Sequence, residues 1–242
     1  MGTHCEYNVS VCMATYNGEK YIRQQIETIL MQLNKNDELI ISDDGSNDKT
    51  LFIIENFKDE RIRVFKNENG PNVLNNVENA LKKAKGEYIF LSDQDDIWMK
   101  NKINILSNLL NTYDLVVSDC EIINEEDELI YDSFFKKIGE KRGIIKNLYK
   151  NPYFGCCMAF KKKILQHALP FPKNIPMHDI WIGYIGELYG KTFFCDDKLI
   201  KYRRHKDNTS PATEISKSSF SKKIFSRINL IYSLLKRYIL EI

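Results

Sequence analysis

No stretch of the sequence approaches the ~18 uninterrupted apolar residues of a membrane-spanning helix, so none is expected. The six cysteines (5, 12, 120, 156, 157 and 195) form no CxxC pair and show no ligand spacing with histidine. That argues against a structural zinc site or a disulfide framework and suits a reducing compartment. Neither sign of charge dominates: 35 Lys and Arg stand against 33 Asp and Glu, a formal net charge of +2. Such a balance gives no field to hold nucleic acid, and no nucleic-acid partner is expected. GxGxxG and GxxxxGK[ST] are both missing, and with them the phosphate cradles of dinucleotide-binding and P-loop enzymes. The first residues, MGTHCEYNVSVCMATYNG, have no basic n-region and no long apolar h-region. The expectation is therefore no secretion signal and a cytoplasmic location, with NVS at Asn8 and NTS at Asn208 read as chance glycosylation matches. There is no internal repeat and no low-complexity segment.

What is present fits a folded domain. The 242 residues are 43% hydrophobic and 28% charged, enough to bury a sizeable core without staples. The first half alternates two periods. Val9–Ala14, Glu38–Ile41, Arg61–Lys66, Glu87–Leu91 and Leu115–Ser118 read as short strands. Lys20–Leu33, Lys49–Phe57, Asn75–Lys85 and Lys100–Asn111 read as helices, the third closed by Gly86. Strand–helix alternation with short connections implies βαβ units on a parallel sheet whose strands are covered on both faces. The second half is less regular. It has a polar hairpin or loop near residues 124–127, a turn at 151–155, an apolar segment Cys156–Phe160, a helix Asp179–Tyr189 and an extended stretch Thr192–Tyr202.

Polar clusters fall at equivalent ends of three strands: Thr15-Tyr16-Asn17-Gly18, Asp43-Asp44-Gly45-Ser46 and Asp93-Gln94-Asp95-Asp96. In open α/β sheets, ligands bind beyond the carboxyl ends of strands, so three clusters there suggest one site. Asp93 and Asp95 alternate around Gln94 and would point to one side of an extended chain. Paired carboxylates of this kind suit Mg²⁺ or Mn²⁺ with substrate phosphates completing the shell. On spacing alone a second reading stands, in which Asp95 or Asp96 only caps the next helix.

The blocks VSVCMATYNG, ELIISDDGSNDKT and GEYIFLSDQDDIW, in this order and spacing, resemble the signature of family-2 glycosyltransferases. DQDD followed by Trp98, with the later YRRHKDN, most resembles bacterial rhamnosyltransferase-type members. The likeness covers roughly residues 8–210; Ala14 stands where members usually carry Pro. The resemblance implies a GT-A fold: an α/β, Rossmann-like, mostly parallel central sheet flanked by helices. It would be a single domain over residues 1–210, with 8–118 holding the nucleotide sugar and 119–210 facing the acceptor. It further implies that Thr15, Tyr16, Asn17, Asp43 and Asp44 hold the base and ribose. Asp93 and Gln94 would meet the donor, and Arg204, with Arg203 beside it, would neutralise the diphosphate. Asp93, Asp95 and His205 would hold a divalent cation, Mn²⁺ or Mg²⁺, that stabilises the leaving nucleoside diphosphate. Asp179 would be the catalytic base of a single inverting displacement. Asp96, Trp98, Gly155, His178 and Trp181 would lie on the acceptor side. The donor implied first is dTDP-L-rhamnose, then a UDP-hexose; the acceptor is a surface polysaccharide or lipid-linked saccharide. A nucleotidyltransferase and a non-catalytic sugar-binding module are the alternatives.

From Pro211 the composition shifts to Ser and Lys, and residues 211–242 read as a basic helical tail. Phe220, Ile224, Ile228, Ile231, Leu235 and Ile239 make one stripe. Such a helix suits contact with a membrane surface, packing on the catalytic domain or self-association.

Overall fold

The computed structural model describes residues 8–139, 151–206, 208 and 220–240, the side chains of 220–224 and 240 excepted. Elements follow in the order β1 (Val9–Thr15), α1 (Ile22–Leu30), β2 (Glu38–Asp43), α2 (Thr50–Glu55), β3 (Ile62–Lys66), α3 (Val73–Lys83), β4 (Tyr88–Ser92), β5 (Ile97–Trp98) and α4 (Lys102–Leu110). Then come β6 (Leu115–Ile123), β7 (Leu129–Tyr131), α5 (Phe134–Ile138), β8 (Met158–Lys161), α6 (Lys163–Ala168), α7 (His178–Tyr189), β9 (Thr192–Arg203) and α8 (Phe220–Leu240).

One nine-stranded sheet runs β3-β2-β1-β4-β8-β6-β9-β5, with β7 paired to β6. The pairs β3–β2, β2–β1 and β1–β4 are parallel, as the alternation of the first half predicts. Beyond β4 the sheet is mixed. β8 is antiparallel to both β4 and β6, while β6 and β9 are parallel. The fifth strand read from the sequence, at the start of β6, runs in the same direction as β4 but is separated from it by the antiparallel β8. Every residue of β2 and β4 is buried, as strands covered on both faces should be. The edge strand β3 is only half-buried, because one flank has no neighbour.

Local chemistry sets the boundaries. Asn72 caps α3, its side chain accepting from Leu74 N and Asn75 N at 2.8 and 3.3 Å. The far end of the sheet is tied by Glu38, whose Oε1 accepts from Ser10 Oγ at 2.6 Å and Lys85 N at 2.7 Å. With that end closed, the loops at the carboxyl ends of β1, β2 and β4 gather on the other side. The expected boundary at residues 210/211 lies outside the described residues, as do Lys217 and Cys5.

Candidate active site

A cavity of about 230 Å³ opens above those carboxyl ends. Thr15, Tyr16, Asp44, Asp93, Gln94 and Asp95 line its first-half side. Gly155, His178 and Asp179 line the opposite wall.

Gln94 joins two loops. Its Nε2 donates to Tyr16 O and its Oε1 accepts from Tyr16 N, both at 3.0 Å. This amide pair leaves Tyr16 51% exposed at the cavity, where its ring can stack on a planar base. Gly18 is needed beneath it, since a Cβ there would lie 2.4 Å from Gln94 Oε1. The two aspartates after β2 do different work. Asp43 is buried, and its carboxylate accepts from Thr15 Oγ1 (3.0 Å), Gly45 N (3.0 Å), Ser46 N (2.8 Å) and Ser46 Oγ (2.6 Å). Asp44 faces the cavity, oriented by Asn67 Nδ2 at 2.6 Å and Asn72 N at 2.8 Å. Asn17 also serves the loops: its Oδ1 accepts from Asn47 N at 2.9 Å, and its N–H donates to Ser46 Oγ at 2.9 Å.

The acidic turn is held from behind by Arg203, which is fully buried. Arg203 Nε donates to Asp95 O at 2.9 Å, Arg203 N to Asp96 Oδ1 at 3.1 Å, and the guanidinium pairs with Asp127 and Gln24. That corrects the expectation that Arg203 faces a diphosphate. Arg204 donates its N–H to Ile123 O at 2.8 Å and is not among the residues that line the cavity. Asp95 Oδ2 meets His205 Nε2 at 2.6 Å, so two of the expected cation ligands are in direct contact. Asn208 Nδ2 lies 3.1 Å from the same ring nitrogen.

The carboxylates are crowded. Burial, then Asp95 and Asp179, push the Asp93 carboxyl up to about 7. Asp96 lies below the cavity floor, its carboxyl pushed well up by burial and by Asp95 and Asp93. Its Oδ2 has no hydrogen-bond partner. An Asp93 oxygen, an Asp96 oxygen and Cys156 Sγ lie within 4.8 Å of one another. The crowded Asp93 and Asp96 carboxylates, one with an orphaned oxygen, are hard donors that fit a divalent cation, with Cys156 a softer third group; the expected ligands Asp95 and His205 pair with each other and are not part of this cluster.

On the far wall, Asp179 sits in the first turn of α7, and its Oδ1 accepts from Ile180 N at 2.7 Å. Burial raises its pKa, against a lowering by His178. Burial in turn lowers the pKa of His178, whose Nδ1 has no partner. Gly155 permits this packing: a Cβ there would sit 2.9 Å from His178 Nε2.

Three expected acceptor-side residues lie elsewhere. Asp96 is under the floor. Trp98 is 3% exposed and packs on Phe90, and Trp181 is buried with Nε1 donating to Ala168 O at 2.8 Å. Both indoles are core, because the strand and helix that carry them turn those faces inward.

Sequence reading missed Lys102. It is fully buried; its Nζ donates to Cys156 O at 2.6 Å and lies 3.9 Å from the Trp98 ring centroid. Burial lowers its pKa to about 8, while Cys157, Cys156 and Asp96 act to raise it. It thus sets a cation beneath the acidic floor. The signal was available: Lys102 shares a helix face with buried Leu106 and Leu110, where a cation is out of place without a partner. Asn76, buried and donating from Nδ2 to Thr15 O at 3.1 Å, also lines the cavity and was missed.

Residues 10–169 match the family described as "Glycosyl transferase family 2". The chain is 27% identical over 237 residues to the Escherichia coli UDP-Glc:alpha-D-GlcNAc-diphosphoundecaprenol beta-1,3-glucosyltransferase WfgD, covering 97% of this chain and 87% of that protein. It is 37% identical over 126 residues to WfaP, an E. coli enzyme of the same description, covering 52% of this chain and 50% of the relative. Among solved structures it resembles S. aureus TarS 1-349 in complex with UDP, at a TM-score of 0.69 and 19% identity, covering 95% of this chain and 65% of that one. It also resembles the mannosyltransferase PcManGT from Pyrobaculum calidifontis in complex with GDP-Man and Mn2+, at a TM-score of 0.63 and 18% identity, covering 85% of this chain and 59% of that one.

Proposed function

The chain belongs to glycosyl transferase family 2 and uses a nucleotide sugar, and we propose that it transfers glucose from UDP-glucose, with inversion, to a lipid-linked saccharide. The observation that carries this reading is the convergence on one cavity of Asp44, the Asp93/Asp95 pair and Asp179. Two relatives are named for UDP-Glc and a diphosphoundecaprenol acceptor, so UDP-glucose stands ahead of dTDP-L-rhamnose as donor.

In this reading Tyr16 stacks on the uracil and Asp44 accepts from a base or ribose donor. Thr15 and Gln94 hold that loop in place. Asp93, Asp95 and His205 would hold the divalent cation, which offsets charge on the departing diphosphate. Asp179 accepts the proton of the acceptor hydroxyl while that oxygen bonds to the anomeric carbon. The bond from the anomeric carbon to the β-phosphate oxygen breaks, and its electron pair leaves on UDP. The raised pKa of Asp179 makes it a stronger base than an ordinary carboxylate. His178 and Gly155 shape the acceptor wall. The five described cysteines are free and buried, which suits a reducing cytoplasm.

The test is UDP release from UDP-glucose and from a panel of other nucleotide sugars, with a GlcNAc-diphospholipid acceptor and Mn²⁺. UDP-glucose should turn over fastest, and Asp179→Asn should cut kcat by roughly 10²–10⁴ while UDP still binds. Faster release from dTDP-L-rhamnose would overturn the donor assignment. An Asp179→Asn enzyme with native kcat would overturn the base.

A further inference from the structure

Helix α8 docks on the domain by one narrow face. Leu230, Leu234 and Arg237 are buried, and the Arg237 guanidinium donates to Leu169 O at 3.0 Å and to Pro170 O at 2.6 Å. At ~100° per residue these three positions span an arc of about 60°. The opposite side is apolar and open: Phe225, Ile228, Ile231, Tyr232, Leu235 and Ile239 are all exposed, Ile239 by 71%. With Tyr238 they fill an arc of about 140° on the same wheel. Of the stripe read from the sequence, Ile228, Ile231, Leu235 and Ile239 therefore point away from the domain, not into it; the side chains of Phe220 and Ile224 lie outside the described residues. Arg227 borders this arc on one side and Lys236 on the other. Residues 216–242 contain Lys217, Lys222, Lys223, Arg227, Lys236 and Arg237 against the single acid Glu241, a local net charge of 6 − 1 = +5.

We infer that the outer face of α8 is a docking surface for an anionic lipid bilayer, on which the helix lies in the interface plane. Two features select this occupant. The face is apolar along its centre and cationic at its borders, the arrangement that sinks side chains among acyl chains while Lys and Arg reach headgroups. Arg237 is held by the domain, but the other five cations of residues 216–242 stand against Glu241 alone, so pairing two copies of this segment would bring like charge together, whereas an anionic surface supplies the offset. Tyr232 and Tyr238 add rings of the kind that settle at the headgroup level. Among the described residues no helix is long and apolar enough to cross a membrane, so the contact is peripheral. The inference stands independently of the donor and acceptor assigned above.

The test is flotation of the full chain with phosphatidylcholine vesicles containing or lacking phosphatidylglycerol, beside sedimentation velocity without lipid. The chain should float with phosphatidylglycerol vesicles, release as salt rises, and sediment alone as a monomer. Ile228→Glu with Leu235→Glu changes only exposed positions. The pair should keep its melting temperature and lose about tenfold or more in vesicle partitioning. Lys236→Gln should lose about fivefold. Absence of flotation, flotation unchanged in the double variant, or a native dimer that the double variant dissociates would each overturn the inference.

Discussion

Replacing Asp93 by asparagine should stabilise the metal-free protein, and increasingly so as pH rises. The half-buried Asp93 carboxyl is pushed up to about 7, against an ordinary value of 3.8, by desolvation and by Asp95 and Asp179. Between those two values the folded state holds a proton that the unfolded state has lost. Stability attributable to this group therefore falls as pH climbs through the window and stays low above it. The full shift corresponds to about 4 kcal/mol at 1.36 kcal/mol per unit. Asp93 opens onto the cavity, so solvent screening leaves roughly half of that, about 2 kcal/mol. Asparagine keeps the shape and cannot ionise. The stability gap between variant and native protein should widen by about 1–2 kcal/mol from pH 5 to pH 8, and the variant's Tm at pH 8 should be about 4–8 °C higher. Urea and thermal melts in a chelator measure it. A variant less stable at pH 8, or a gap that ignores pH, would refute the claim that the acid crowding costs the fold stability. With UDP and Mn²⁺ added, the order should reverse, since the native site gains the ligand and the variant loses part of its donor set.

Gln94→Ala removes both hydrogen bonds that hold the Tyr16 backbone. It should weaken UDP binding by about 5–30-fold in calorimetry while moving Tm little, as expected for two bonds of ~1 kcal/mol each. Asp44→Asn should weaken UDP binding, whereas Asp43→Asn, which turns the acceptor for Thr15 Oγ1 and Ser46 Oγ into a donor, should lower Tm by several degrees, about 1–3 kcal/mol. Lys102→Met removes the buried cation beneath Asp96. It should leave thermal stability within about 1–2 kcal/mol, because lost desolvation cost offsets the lost hydrogen bond, and should lower kcat.

The parallel half of the sheet was legible because its signals are local. Apolar strands of β period, helices of 3.6 period and turn residues at the strand ends all fall within short windows of sequence. The three polar clusters were legible for the same reason, and the structure brings Tyr16, Asp44, Asp93 and Asp95 to one cavity with Asp179 across from them. The division of labour inside each cluster was not. Asp43 and Asp44 are adjacent in sequence, yet one knits loops and the other faces the cavity, a difference set by the register of β2 against β1. Trp98 and Trp181 look like sugar platforms in a string of letters but turn inward, since nothing local reports which side of a two-residue strand or of a helix apolar over most of its faces meets solvent. The antiparallel insertion of β8 depends on contacts far apart in the chain, and periodicity carries no information about strand order.

In the proposed site LSDQDDIW, with His205, would hold a cation which in turn holds a nucleoside diphosphate. The most direct test is calorimetric titration of UDP into the native protein, with Mn²⁺ and with chelator, repeated for Asp95→Ala and His205→Ala. Tight binding is expected only with Mn²⁺, lost in Asp95→Ala and weakened in His205→Ala. Equal UDP affinity in chelator and in Mn²⁺, or native affinity in Asp95→Ala, would contradict it.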